Sequence, residues 1–315
     1  MNILYIIGNG FDINLGLRTD YQEFYDYYIA QKSDSDVIAK MKEHLTKHRY
    51  TTWADLELGM GSYTNNVGSW KEMEEICHDF SIKLRSFLSQ KQRGFSIIEP
   101  EKRKMLGFIL NPQKGLTAGS ERAVSNYLVR DKSIQVISFN YTKTFEQLCD
   151  YSGNSLSLSP YSVLQVIHHI HLSLDNTDVV LGVNDEGQIK NKDIISPELL
   201  DILVKPHINN QLGTLVDNEC SSLISNADLI CLFGVSLGET DNIWWKRIGN
   251  RMTHSSARLI YYAYDKDTPQ FNNELIGKMR YYRDRIIKRC NLNKDNASLM
   301  ERIFVGYKTD FFKIR

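Results

Sequence analysis

Short, almost wholly apolar runs recur along the chain, and this pattern predicts β-strands that are buried on both faces. The first run covers residues 2–7 and is followed by Gly8. The others cover residues 134–139, 164–168, 229–233 and 258–263, with a shorter candidate at 179–183. Several runs lead into a polar or glycine-containing turn and then into a helical pattern, which is typical of βαβ units. The sequence therefore predicts an α/β fold with a Rossmann-like parallel sheet.

The apolar spacing changes to that of amphipathic helices between residues 21 and 130. Helical patterns cover residues 21–31, 35–48, 70–90 and 118–128. We therefore predict that residues 1–20 and 131–315 form the sheet-bearing core and that residues 21–130 form an inserted helical module. A late helix is expected over residues 269–288, and its Arg and Lys side chains are interpreted as a solvated face.

Composition narrows the class of protein. Lys and Arg together number 38, and so do Asp and Glu, so the basic excess of a dedicated nucleic-acid binder is missing. The five cysteines are scattered and form no CxxC pair, which argues against a zinc or redox motif. No apolar stretch approaches the roughly 20 residues that span a bilayer. We expect a cytoplasmic protein with reduced thiols, no bound metal, and neither a membrane nor a nucleic-acid partner.

The turn after the first predicted strand is a candidate phosphate site. It reads Gly8-Asn9-Gly10-Phe11-Asp12. Glycine lets the backbone approach an anion without a Cβ in the way, and a helix that begins there would direct free N–H groups at a phosphate. The alternative is a plain strand-to-helix turn in which Asp12 acts as a cap.

Polar residues also follow the second predicted strand, in the segment Ser138-Phe139-Asn140-Tyr141-Thr142. Side chains at the carboxyl ends of parallel strands face the crevice in which ligands bind. Asn140 offers both a donor and an acceptor, so it can hold a ribose hydroxyl or orient a water molecule. The alternative is that Asn140 and Thr142 cap a helix over residues 143–149.

The segment His168-His169-Ile170-His171 ends the next predicted strand. On a strand, His169 and His171 share a face and could chelate a metal ion, but the sequence shows no third ligand nearby. One histidine acting as a general base is the stronger hypothesis, because the pKa of histidine lies near neutrality. A structural, hydrogen-bonded histidine is the competing interpretation of each.

A second glycine-bearing turn follows the strand at residues 229–233 and contains Gly234, Ser236, Glu239 and Asp241. Gly-x-Ser-x-Gly also matches the nucleophile elbow of α/β-hydrolases. The later acid and histidine of a triad are not supplied, since only His254 follows and it lies too close to the turn. We interpret the turn as a nucleotide contact in which Asp241 or Glu239 meets ribose hydroxyls. A capped strand-to-helix turn is the alternative.

Taken together, these segments resemble the bacteriophage abortive-infection AbiH family. Two departures from the family pattern are Leu172, where the family tends to have glycine, and Val235, where it tends to have histidine. The motifs that carry the resemblance are Ile7-Gly8-Asn9-Gly10-Phe11-Asp12, Gly16-Leu17-Arg18-Thr19-Asp20-Tyr21, Trp53-Ala54-Asp55-Leu56-Glu57, Ser138-Phe139-Asn140-Tyr141-Thr142, Ile170-His171, Leu181-Gly182-Val183-Asn184-Asp185 and Gly234-Val235-Ser236-Leu237-Gly238-Glu239-Thr240-Asp241.

The same order of motifs is more distantly similar to the sirtuin-like NAD-binding fold of bacterial defence. That resemblance implies an NAD site in which Asn140 orients the ribose or the attacking water and His171 is the base. It implies further that the first glycine turn holds phosphate and ribose and that the second turn closes the site. The cofactor-binding residues expected on this basis are Gly8, Asn9, Gly10, Phe11, Asp12, Gly234, Ser236 and Asp241. The chain has no zinc-binding cysteine quartet, so a protein deacylase is not expected.

Three functions follow as hypotheses. The first is an anti-phage effector that hydrolyses NAD, with Asn140 and His171 as catalytic residues and a phage component as trigger. The second is a nucleotide-binding sensor without turnover. The third is a metal-dependent nuclease or phosphohydrolase that uses Asp12, Glu57, Asp185 and Asp241. A homo-oligomer is compatible with each of them.

The role of residues 53–57 stays open at this point. They can form a helix in which Trp53 and Leu56 pack inward and two acids face solvent. In the other interpretation, Glu57 reaches the cleft from the inserted module.

Overall fold

The computed structural model describes residues 1–176, 179–264 and 271–307, together with Thr309 and Phe311. The described residues form one seven-stranded sheet with the strand order β3-β4-β2-β1-β5-β6-β7. Among these described strands, only β3 runs antiparallel to its neighbour, and the other pairings are parallel. The strands are β1 Asn2–Ile7, β2 Lys132–Ser138, β3 Leu156–Ser159, β4 Ser162–His169, β5 Leu229–Phe233, β6 Arg258–Ala263 and β7 Ile303–Tyr307.

Helices connect the strands and cover the sheet. Between β1 and β2 lie α1 Asn9–Asn14, α2 Tyr21–Ala30, α3 Asp36–His48, α4 Leu56–Tyr63, α5 Trp70–Gln92, α6 Glu99–Leu110 and α7 Ala118–Ser125. After β2 follow α8 Thr144–Cys149, α9 Pro197–Leu203, α10 Lys205–Gln211, α11 Val216–Asn226, α12 Asn242–Thr253, α13 Asn272–Arg289 and α14 Ala297–Met300. The prediction of an α/β fold with a mostly parallel sheet is confirmed.

The alternation of side chains along β1 explains how the sheet is buried. Leu4 and Ile6 pack on one face with residues of α11, α12 and α13. Ile3, Tyr5 and Ile7 pack on the other face with residues of α6, α7 and α8. Because successive residues of a strand point to opposite faces, an uninterrupted apolar run is what a strand covered by helices on both sides requires.

A third apolar cluster lies among the helices between β1 and β2. Its long helix, α5, begins where the Ser69 side chain accepts a hydrogen bond from the Glu72 N–H, as an N-cap does. Met73, Ile76 and Phe80 form part of its buried stripe. Contacts of the inserted stretch with other parts of the chain are extensive, since α6 and α7 pack on the sheet and α9 joins the helical cluster. The division at residues 20 and 130 stays a prediction.

Several predicted elements differ from the structure. Residues 179–183 are not a strand, because only an isolated bridge joins Val183 to Val204, and this apolar run packs in the helical cluster instead of the sheet. Sequence reasoning missed the short edge strand β3 and the buried strand β7. The late helix begins at Asn272, and residues 269 and 270 of its predicted range lie outside the described residues. Among the described residues, no helix combines the length and the apolarity needed to cross a bilayer.

Candidate functional site

A cavity of about 380 Å³ lies where the chain reverses its direction of travel across the sheet. From β1 the chain proceeds to β2 and β4 on one side, and later strands β5, β6 and β7 fill the other side. The connections after β1 and β5 therefore lead towards opposite halves of the sheet, which leaves a crevice at its carboxyl edge. Gly8, Asn140, His171 and Gly234, which follow β1, β2, β4 and β5, all line this cavity.

The two glycine turns are packed directly against each other. The Gly8 N–H donates to the Phe233 carbonyl at 3.0 Å, and the Gly10 N–H donates to the Gly234 carbonyl at 2.9 Å. A Cβ on Gly10 would lie 2.6 Å from the Gly234 Cα, and Gly234 itself has a φ of +69°. Close backbone approach is therefore a reason for glycine at both positions.

This packing divides the first turn between cavity and core. Gly8, Asn9 and Asp12 line the cavity. Gly10 lies against Gly234, and the Phe11 ring is buried with Phe145 and Phe233 in the core beneath the sheet. Phe11 thus presents no ring surface to a ligand.

Replacement of Gly10 by alanine is expected to lower the free energy of unfolding by about 2–3 kcal/mol, because the new methyl group overlaps the Gly234 backbone. Urea denaturation measures this change. Gly107→Ala is the matched control: it lies inside α6 with no heavy atom within 4 Å of the new Cβ, so a gain of about 0.5–1 kcal/mol is expected. Equal effects of the two changes would contradict the interlocked turns.

Asp12 is the acceptor at the centre of a buried polar network. It accepts a hydrogen bond from the Asn140 Nδ2 at 3.1 Å and others from the hydroxyls of Thr142 and Thr144. Burial raises the pKa of Asp12 to about 6, although these donors oppose the shift. The Asn140 Nδ2 also donates to the Gly8 carbonyl at 3.1 Å. No described residue donates to the Asn140 side-chain oxygen, so this acceptor is free for a ligand.

This network decides between the capping alternatives. The N-cap of α1 is Gly8, so Asp12 is not its cap. The N-cap of α8 is Lys143, without a side-chain capping bond. Asn140 and Thr142 instead join the loops after β1 and β2 across the sheet edge.

The three histidines have separate partners. His168 lies 3.3 Å from Glu219. His169 contacts the Asn140 carbonyl at 2.7 Å and Glu146 at 2.6 Å. Burial opposes charging of His169, but the hydrogen bond and charge of Glu146 outweigh it and raise the pKa. Because His169 is committed to these partners, it does not form a chelating pair with His171. In the described part of the chain, no group of three or more His, Cys, Asp and Glu residues could hold a metal ion.

His171 belongs to a chain of three buried polar side chains. The Lys205 Nζ lies 2.5 Å from the Glu57 Oε1 and 3.3 Å from the His171 Nε2. Burial, followed by the charge of Lys205, holds the pKa of His171 well below its usual range. A lysine ammonium only donates, so the neutral ring accepts at Nε2 and carries its proton at Nδ1. That Nδ1 is buried and has no hydrogen-bond partner among the described residues, and a buried donor without an acceptor costs on the order of 1–3 kcal/mol.

More carboxylates lie around this chain of side chains. Asp55 accepts from the Thr240 hydroxyl at 2.7 Å, and Asp241 accepts from the Asn184 Nδ2 at 3.3 Å. Both carboxylates line the cavity with Glu57. Burial raises the pKa of Glu57, the ion pair with Lys205 opposes this, and the charges of Asp241 and Asp55 raise it further.

Residues 53–57 have features of both interpretations, inward apolar packing and an acid that reaches the cavity. Trp53 and Leu56 are fully buried in the helical cluster, as the packing interpretation requires. Asp55 and Glu57 do not face solvent on the molecular surface, because Asp55 caps α4 and both acids line the cavity. The inserted stretch therefore contributes side chains to the cavity.

Most of the residues singled out by sequence converge here, and a few do not. Eight of the expected ligand or catalytic positions line the cavity: Gly8, Asn9, Asp12, Asn140, His171, Gly234, Ser236 and Asp241. Asp185 lies apart, because it is exposed and caps a short 3-10 helix, Glu186–Gln188. Sequence reasoning missed Lys205 and did not single out Tyr21 or Thr240 as site residues. Tyr21 and Asp55 lie within motifs of the resemblance, whereas nothing in the local sequence marks Lys205.

A family model described as "Bacteriophage abortive infection AbiH" matches residues 4–263. The chain belongs to the AbiH family. The matched region runs from β1 to β6 and includes every loop that lines the cavity. Membership implies a role in phage abortive infection. No curated protein matches the chain.

Both departures from the AbiH pattern have structural consequences. Leu172 has a φ of +61°, in the left-handed region, where glycine fits without steric cost. The glycine that the family tends to have is therefore explained by backbone conformation. Val235 is buried and its Cγ1 would lie 3.0 Å from a Cβ on Gly8. This valine packs against the first glycine turn and lines the cavity.

Proposed function

We propose that this AbiH protein is an abortive-infection effector that binds NAD in the cavity and hydrolyses the bond between nicotinamide and ribose. The observation that carries the proposal is the convergence of Gly8, Asn140, His171 and Asp241 at one crevice of the sheet. Numbered among themselves, the six parallel strands follow the order 3-2-1-4-5-6. Doubly wound dinucleotide-binding folds have this order and bind their ligand at the point of reversal, which favours a Rossmann-like, sirtuin-like assignment.

The polar groups of the cavity match the ribose parts of NAD. The free side-chain oxygen of Asn140 and the carboxylates of Asp12 and Asp241 are acceptors for ribose hydroxyls. The unpaired Nδ1–H of His171 is a donor for a carboxamide or hydroxyl oxygen. Gly8 and Gly234 line the same cavity, and in this proposal the phosphates lie beside these two turns. In this proposal Ser236 and Asn9 complete the wall of the nucleotide site.

Acidic side chains also suit the chemistry. Cleavage of the nicotinamide–ribose bond passes through an oxocarbenium-like state, and carboxylates stabilise such developing positive charge. Metal-dependent phosphoester hydrolysis is less well supported, because Asp185 lies outside the cavity. We propose further that a phage component triggers the activity and that it occurs in the cytoplasm.

The test is incubation of purified protein with NAD, alone and with lysate from phage-infected cells, followed by chromatography of released nicotinamide. We expect nicotinamide and ADP-ribose in equal amounts, with the same yield in a chelator. NAD binding without product would favour a sensor, and loss of activity in the chelator would favour a metal enzyme. Absence of both binding and product with every lysate would refute the proposal.

A further inference from the structure

Glu57 reaches the cavity from the inserted helical stretch. It lies in the first turn of α4, where the Asp55 side chain caps the helix through the backbone N–H groups of Glu57 and Leu58. Glu57 is only 5% exposed, yet it lines the cavity. Its Oε1 contacts Lys205, and no described residue donates a hydrogen bond to its Oε2. One oxygen of this buried carboxylate is therefore held and the other is available.

Lys205, from a later part of the chain, forms the ion pair that holds the Glu57 carboxylate. It is the first residue of α10 and only 2% exposed. Its backbone N–H donates to the Val183 carbonyl at 2.8 Å, and the Val183 N–H donates to the Leu203 carbonyl at 2.8 Å. These bonds fix the start of α10 beside the cavity. The ammonium group pairs with Glu57 and donates to the His171 Nε2.

His171 supplies a second, independent sign of a ligand at this place. Its Nε2 is occupied by Lys205, and no described residue pairs with its buried Nδ1. A histidine in this state is a hydrogen-bond donor towards a ligand and is poorly suited to accept a proton. The base expected from the sirtuin-like resemblance must then come from another side chain.

We propose that Glu57 is the catalytic base of the cavity and that Asp55, Glu57 and Asp241 form the subsite for the cationic nicotinamide-ribose half of NAD. Lys205 is a positioning residue that holds the Glu57 carboxylate. This inference rests on the proposed NAD hydrolysis and adds which side chains act on which half of the substrate.

The step balances without a further reactant. The bond between the nicotinamide nitrogen and the ribose C1′ breaks, and its electron pair neutralises the positively charged ring. A water oxygen forms the new bond to C1′, and the water proton passes to Glu57 and then to solvent. The products are nicotinamide, ADP-ribose and one proton.

Charge selects the oxidised dinucleotide. The carboxylates of Asp55, Glu57 and Asp241 line this part of the cavity, and Lys205 behind them pairs with Glu57. The nicotinamide ring is cationic in NAD and uncharged in NADH. A site with excess negative charge therefore binds NAD more tightly than NADH, and because burial raises the pKa of Glu57, this preference grows as pH rises.

The decisive variant is Glu57→Gln, which keeps the shape of the side chain and removes its charge. We expect nicotinamide release to fall by about 100-fold or more, as for loss of a general base. ADP-ribose affinity should stay within about threefold, because that ligand lacks the cationic ring, and the preference for NAD over NADH should diminish. Glu43→Gln is the matched control, since Glu43 forms an exposed pair with Lys47 on α3.

A second variant covers the case in which Glu57→Gln leaves Lys205 unpaired and the protein unfolds. Glu57→Gln with Lys205→Met removes both charges together and should fold, bind ADP-ribose and release no nicotinamide. If the wild-type protein releases nicotinamide and either Glu57→Gln or the double variant does so equally well, the role of Glu57 is overturned but the proposed function is not. Wild-type protein without turnover or binding would overturn the proposed function, and this inference with it.

Discussion

Asn140→Ala is expected to reduce nicotinamide release by about 100- to 1,000-fold, which is the size of effect seen when one preorganised polar group is lost from an active site. The Asn140 amide joins the Gly8 carbonyl to Asp12, while its oxygen is free for the ligand. Alanine removes that acceptor and leaves Asp12 without one of its donors. Steady-state chromatography of nicotinamide measures the loss.

Asn226→Ala is the control for this prediction. Asn226 is exposed at the end of α11, and its side chain bonds only to Ser222 among the described residues. Its activity should equal that of the wild type. If Asn140→Ala retained wild-type activity while folding normally, the free oxygen of Asn140 would have no part in binding or turnover.

Lys205→Met is expected to lower the free energy of unfolding by about 3–5 kcal/mol at pH 8, because it leaves the Glu57 carboxylate buried without its cation. The same change should cost less at low pH. In the variant, burial still raises the folded-state pKa of Glu57, and the ion pair with Lys205 no longer opposes this shift. A carboxyl group whose pKa is higher in the folded than in the unfolded state contributes stability at low pH that is lost as pH rises. Urea denaturation between pH 5 and pH 8 gives the comparison.

Two control variants show whether the loss of stability comes from the unpaired buried carboxylate or from the removal of any lysine. Lys47→Met removes the exposed partner of Glu43 and should leave the free energy of unfolding nearly unchanged, because solvent screens this pair. Adding Glu57→Gln to Lys205→Met should recover most of the lost stability, since neither buried charge remains. A pH-independent loss that Glu57→Gln does not relieve would mean that Lys205 stabilises the fold by packing alone.

The parts of the fold that sequence predicted are those determined locally. β1, β5 and β6 coincide with their apolar runs, because a strand covered on both faces needs an apolar side chain at nearly every position. Residues 179–183 have the same pattern for another reason, since they pack against helices. Periodicity alone does not distinguish these two environments.

The residues of the candidate site also divide into those that the local sequence locates and those whose position depends on tertiary packing. Gly8, Asn140 and Gly234 could be located from sequence because the carboxyl ends of parallel strands meet at one edge. Lys205 could not, because its position depends on the bridge between Val183 and Val204, which brings the start of α10 to the cavity. Glu57 was left between two interpretations, since only tertiary packing decides whether an acid on a short helix faces solvent or a cavity.

The most direct test of the central claim is calorimetric titration of the wild-type protein and Asn140→Ala with ADP-ribose, which keeps both riboses and the phosphates but has no nicotinamide bond to cleave. We predict one binding site per wild-type chain and an affinity lowered by about tenfold or more in the variant, as for loss of a buried hydrogen-bond partner of the ligand. Equal affinity in both proteins, or no heat of binding with ADP-ribose or NAD, would contradict a nucleotide site at this edge of the sheet.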